Sequence, residues 1–161
     1  MEKISSRRFD VDFFEIDDST WLVRSRLDDD AHDITTETKV KVPEMDIVDA
    51  SVTFTRYPLD VCPVIEKNVK RIVGLNLLKN YNRKSLFIFL GSKGCGNVMQ
   101  ILGTGLQSFV YAYYPHLVET GKMSIGDWEH FSVTRLKNAC LGHTLLGRGT
   151  AKMLHNSPVH T

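Results

Sequence analysis

Ile34-Thr35-Thr36-Glu37-Thr38-Lys39-Val40-Lys41-Val42 is the stretch on which the fold turns. In an extended backbone Ile34, Thr36, Thr38, Val40 and Val42 share one face, and Glu37, Lys39 and Lys41 share the other. That alternation predicts a strand with one face on a core and one in water. Downstream, Pro43 to Asp46 reads as a turn, and Ile47 to Tyr57, rich in β-branched and aromatic residues, as the next strand. The two make an antiparallel hairpin. Upstream, Asp28-Asp29-Asp30 is a polar break. Before it, Phe13 to Leu27 reads as a strand pair turning at Asp17-Asp18-Ser19, with Trp21 and Val23 opposite Leu22 and Arg24.

After Tyr57 the period changes to a helical one. Val61, Ile65, Val69 and Ile72 predict a helix capped by Asp60 and ended by Gly74, with Pro63 tolerated in its first turn. Lys84 to Leu90 reads both ways, because Phe87-Ile88-Phe89 favours strand and its surroundings favour helix. Gly91 to Gly94 is a loop. A second helix is expected from Cys95 to Tyr114, with Val98, Leu102, Leu106, Phe109, Val110 and Tyr113 on its apolar face and Pro115 as its stop. Gly103 and Gly105 either weaken that helix or let it pack closely. A third helix is expected from Asp127 to Leu146. The expected fold is therefore α+β: an antiparallel β-meander of three to four strands followed by a packed group of helices. One domain is expected over 1–154, with a flexible tail over 155–161.

The 161 residues are enough for one domain with a core, and 42% hydrophobic and 24% charged residues are ordinary for a globular protein. The net charge is +1 with no basic stripe, which argues against nucleic acid and against an anionic membrane surface. Met1 to Asp12 has no apolar signal core, and the longest apolar stretch, Leu86 to Leu90, is too short to span a bilayer. The expected location is the cytoplasm. Three cysteines there argue for free thiols rather than a disulfide framework.

Cys62 and Cys95 stand out because each falls at a predicted helix start, where free N–H groups and the helix dipole favour a thiolate. Gly94 and Gly96 flank Cys95 and leave its backbone open to close approach. Both cysteines also suit a buried structural position. His32 precedes a strand, and with two cysteines it forms a workable ligand set for zinc or an iron–sulfur cluster. The alternative is a solvated turn. Asp28, Asp29 and Asp30 lack the spacing and glycine of an EF-hand. Cys140 and His143 share a helix face at i, i+3, as a ligand pair or as one packed cysteine and one rim histidine. No Cys-x-x-Cys, Gly-x-Ser-x-Gly, His-Glu-x-x-His or phosphate loop occurs.

Taken in order, these features are a Leu27-Asp28 break, His32 opening a strand, Pro58-x-x-x-Cys62, a helix ending at Gly74, and Gly94-Cys95 opening another helix. That order resembles the family catalogued as domain of unknown function 2889, over roughly Phe13 to Tyr114. The family pattern has Gly-Cys-Thr-His-Leu where this chain has Gly94-Cys95-Gly96-Asn97-Val98, so Asn97 replaces a histidine. More distantly the chain resembles iron–sulfur scaffold proteins of the NifU N-terminal type and the SufE-like sulfur acceptors. That likeness matches Cys62 and Cys95 to the scaffold's second and third cysteines and puts His32 at its first. It implies a SufE/NifU-like fold and a centre of zinc or iron–sulfur on Cys62, Cys95 and His32, completed by Asp33 or solvent. It also admits a cysteine that carries persulfide sulfur, and another protein as partner at the cysteine edge. A third possibility is an interaction domain with structural cysteines.

Overall fold

The alternation around Ile34 extends through four strands. In the computed structural model, which describes residues 1–152, these are β1 (Arg7–Asp17), β2 (Thr20–Asp29), β3 (Asp33–Lys41) and β4 (Asp46–Arg56). They form one antiparallel sheet in the order β1-β2-β3-β4, a meander. The tail expected over 155–161 lies outside the described residues. Trp21, Val23, Ser25 and Leu27 of β2 and Ile34, Thr36, Thr38 and Val40 of β3 are buried on one face, as the period-two pattern requires. An irregularity opposite Lys39 and Val40 shifts the phase of β4, so Ile47, Ala50 and Val52 all reach the core. The first strand begins at Arg7, ahead of the expected Phe13. Phe9, Val11 and Phe13 do alternate with Arg8, Asp10 and Asp12, but on an edge strand no residue of the apolar set is fully buried.

The predicted helix over 60–74 forms as three short pieces. A 3-10 turn over Cys62–Ile65 leads into α1 (Glu66–Val69), and a second 3-10 turn covers Lys70–Ile72. Ile65, Val69 and Ile72 are buried, as the spacing requires. Asp60 does not cap it: the position before the first turn is Val61, with no side-chain hydrogen bond. Gly74 ends the segment at φ +82, a conformation that glycine adopts without a Cβ penalty. The ambiguous segment is helical: α2 (Tyr81–Phe89) buries Tyr81, Ser85, Ile88 and Phe89 and leaves Phe87 exposed.

Next comes α3 (Gly96–Glu119), which buries Val98, Ile101, Leu102, Leu106 and Phe109. It continues through Pro115, which was expected to stop it. The two glycines of α3 part company. A Cβ on Gly105 would lie 1.9 Å from Ser25 Oγ and 3.3 Å from Val23 Cγ1, so this glycine lets α3 lie close against β2. A Cβ on Gly103 would meet nothing within 4 Å.

The chain divides into two compact units, Met1–Ala112 and Tyr113–Thr161. Within the second, α4 (Ile125–Thr134) starts at Ser124, whose Oγ accepts from Asp127 N at 3.0 Å. Phe131 and Trp128 of α4 pack against Tyr114, with ring centroids at 4.0 and 5.4 Å. The single helix expected over 127–146 is in fact two. Asn138 takes a left-handed conformation, φ 67, and α5 (Leu141–Gly147) begins after Cys140. Among the described residues no helix is long and apolar enough to cross a membrane.

A candidate two-thiol site

Cys62 opens the 3-10 turn that follows β4, and its N–H donates to Leu59 O at 3.0 Å. Cys95 closes the loop between α2 and α3, and its carbonyl accepts the first helical bond, from Met99 N at 3.0 Å. The two segments are tied by one side chain: Asn68 Nδ2 of α1 donates to Lys93 O at 2.7 Å. Cys62 and Cys95 consequently line one cleft of about 690 Å3, and both are half-buried. That volume is within the range of small-molecule sites, roughly 300–1,000 Å3.

The charged groups lining this cleft are Lys67, Arg71 and Lys93, and among the described residues no carboxylate or imidazole lines it. Val61 and Val64 form an apolar rim, at 61% and 67% exposure. Sequence reasoning missed the three cations. Lys67 and Arg71 have i, i+4 spacing and Lys93 sits two residues before Cys95, but nothing local tells that these stretches meet.

The two glycines beside Cys95 serve different ends. A Cβ on Gly94 would fall 1.8 Å from Phe89 O and 2.1 Å from Phe89 C, so this glycine permits the loop to fold back on α2. Only Gly96 matches the open position expected of both, with nothing within 4 Å of an added Cβ.

His32 is placed differently. It does not line the cleft. Its Nδ1 lies 3.0 Å from Asp29 Oδ1, which also accepts from the His32 backbone N–H at 2.7 Å and from Ala31 N at 2.9 Å. Arg7 Nη2 meets Asp29 Oδ2 at 2.7 Å, and Arg7 Nη1 donates to Asn97 Oδ1 at 3.1 Å. A polar chain thus runs His32–Asp29–Arg7–Asn97 and reaches the first turn of α3. Asp33, expected as a further ligand, is clamped by Arg26 through two bonds of 2.8 and 2.9 Å. Among the described residues no group of three or more His, Cys, Asp and Glu side chains is placed to hold a metal ion. The cleft itself brings two of the three expected ligands together, Cys62 and Cys95, and not His32.

Desolvation raises the Asp29 carboxyl, but the hydrogen bonds from His32, Ala31 and Arg7 outweigh it and hold the group down at about 2, from an ordinary 3.8. A depressed folded value means that the stability this group contributes is present above about 4 and lost as pH falls through about 2. Asp29→Asn should therefore cost about 1–3 kcal/mol at neutral pH. The gap from the unmodified chain should close between pH 4 and 2, read as melting temperature against pH. A gap constant down to pH 2 would place the effect in packing instead.

Cys140 is exposed at the start of α5 rather than packed mid-helix, and its Sγ lies 3.2 Å from His143 Nδ1. A family model described as "Protein of unknown function (DUF2889)" matches residues 5–107, a span that includes Cys62, Cys95 and His32 and excludes Cys140. No curated protein and no solved structure matches the chain.

Proposed function

The chain belongs to the DUF2889 family of proteins of unknown function, and from that premise we propose that it is a thiol-based sulfur carrier working through Cys62 and Cys95. The observation that carries this reading is the shared cleft: two cysteines from separate segments line one cavity whose charged groups, among the described residues, are cations. Cations at the mouth of a cleft attract anionic groups that enter it. Cys95 is the better candidate for first acceptor, because it precedes a helix of 24 residues whose first N–H groups point toward its end.

The chemistry is nucleophilic displacement at sulfur. The Cys95 thiolate attacks the outer sulfur of a donor persulfide. A bond forms between Cys95 Sγ and that sulfur, the donor's S–S bond breaks, and the donor leaves as a thiolate. Cys95 then holds a persulfide, which Cys62 or an external thiol takes up by the same displacement. No net oxidation or reduction is needed.

The test is to expose the reduced chain to inorganic polysulfide and map sulfur addition by mass spectrometry. One added sulfur atom on Cys95 or Cys62, lost in Cys95→Ser or reduced in Cys62→Ser and retained in Cys140→Ser, is the expected result. Addition confined to Cys140 would overturn it. The competing proposal is a zinc or iron–sulfur centre on Cys62, Cys95 and His32, which also draws on the shared cleft. It requires His32, which does not line the cleft, to bring its Nε2 to the two sulfurs, an arrangement compatible with Nδ1 staying on Asp29. Zinc or iron bound in anaerobically purified protein, and lost in His32→Ala as well as in both cysteine variants, would favour that centre over the carrier.

A further inference from the structure

The carrier reading leaves the donor unspecified, and the cleft constrains it. Lys67 lies in α1, Arg71 in the 3-10 turn that follows it, and Lys93 in the loop before Cys95. Elsewhere in this unit Lys3, Lys41, Lys79, Arg83 and Lys84 also lack an ion pair among the described residues, but these do not line the cleft. Arg7, Arg8, Arg24, Arg26, Arg56 and Lys70 each meet a carboxylate within 4 Å. The charged ends of Lys67, Arg71 and Lys93 enter no ion pair or hydrogen bond among the described residues; Lys93 is held only through its backbone carbonyl, by Asn68. Asp60 and Glu66 adjoin the cleft in sequence but do not line it. Three unmatched cations around two thiols form a positive cavity of small-molecule size.

We infer that this cleft selects an anionic low-molecular-weight sulfur compound, with Lys67, Arg71 and Lys93 receiving its carboxylate or phosphate while its sulfur reaches Cys62 or Cys95. The inference rests on the two-thiol reading and adds the ligand class. A cleft of about 690 Å3 suits a free small molecule better than a protein segment, which would be held by surrounding surface more than by the cavity.

The charge preference can be measured without knowing the natural compound. Three small symmetric disulfides serve as probes: dithiodiglycolate with carboxylate ends, 2-hydroxyethyl disulfide with neutral ends, and cystamine with ammonium ends. A cysteine thiolate attacks one sulfur of the probe, forms a mixed disulfide and releases half the probe as thiolate. Rates at Cys62 and Cys95 are followed by mass spectrometry on the full chain carrying Cys140→Ser. Each is normalised to its rate with a small neutral thiol.

The carboxylate probe should react at least about tenfold faster than the ammonium probe at low salt. The preference should shrink toward one in about 1 M salt, where screening acts within about 3 Å. The double variant Lys67→Glu, Arg71→Glu should invert it; both side chains are exposed, so the fold tolerates the change. Equal normalised rates, or an ammonium preference in the unmodified chain, would overturn the anion selection while leaving the carrier reading intact. Failure of even the neutral probe to modify either cysteine would overturn both.

Discussion

Phe109→Ala is expected to destabilise the first unit by about 3–5 kcal/mol, the range for truncating a fully buried aromatic side chain. Phe109 has no exposed surface. Its ring meets Phe13 of β1 at 5.9 Å and Trp21 of β2 at 5.8 Å between centroids, so it joins the edge strand and its neighbour to α3. Gly105, one turn earlier on α3, already holds the helix backbone close to β2, so the sheet and helix have little room to collapse into the cavity left behind. Equilibrium urea unfolding followed by Trp21 fluorescence, in a Trp128→Phe background, gives the cost directly. A loss under about 1 kcal/mol would mean that the ring is not buried between sheet and helix.

Gly94→Ala should be the second most damaging of these changes, and it should act on the site as well as on the fold. The added methyl would have to occupy the space of the Phe89 backbone carbonyl, and a backbone atom at the buried end of α2 cannot rotate away. The loop must shift instead. Its anchor, the bond from Asn68 to Lys93 O, is the tie between the Cys62 and Cys95 segments. The expected cost is about 1–3 kcal/mol, as for other overpacked positions. Alkylation of Cys95 should also accelerate several-fold as the cleft opens. Gly96→Ala is the contrast: its Cβ enters open space at the start of a helix, and it should be neutral or stabilising by up to about 1 kcal/mol. Equal thiol reactivity in the two variants would show that Gly94 does not set the position of Cys95.

Much of the fold was legible in short stretches. The alternation of Ile34 to Val42 and of Trp21 to Leu27, the turns at Asp17-Asp18-Ser19 and Pro43 to Asp46, and the helical spacing of Val98 to Phe109 all depend on neighbours two to four residues away. The structure carries each of them. Boundaries fared worse where one residue type competes with another. Pro115 was expected to end α3 and lies inside it. Asn138 interrupts a stretch that periodicity joins into one helix. Asp60, a good cap by composition, does not cap, because the chain enters a 3-10 turn at Val61 and Cys62.

The candidate site divides along the same line. That Cys62 and Cys95 stand at or next to helical starts is local, and the sequence by itself determined it through the glycines, the prolines and the onset of apolar periodicity. That the two line one cleft, with Lys67, Arg71 and Lys93 around them, follows from a hydrogen bond between residues 68 and 93 and from the fit of Gly94 against Phe89. The partner of His32 was equally invisible. In the sequence Asp29 is one of three consecutive aspartates, and only the tertiary structure singles it out, by burying its carboxylate and bringing Arg7 and the His32 ring to it. Periodicity encodes which face of an element is apolar, because every residue on that face reports the same environment. The convergence of single polar side chains from distant elements has no such repetition and is decided only when the elements pack.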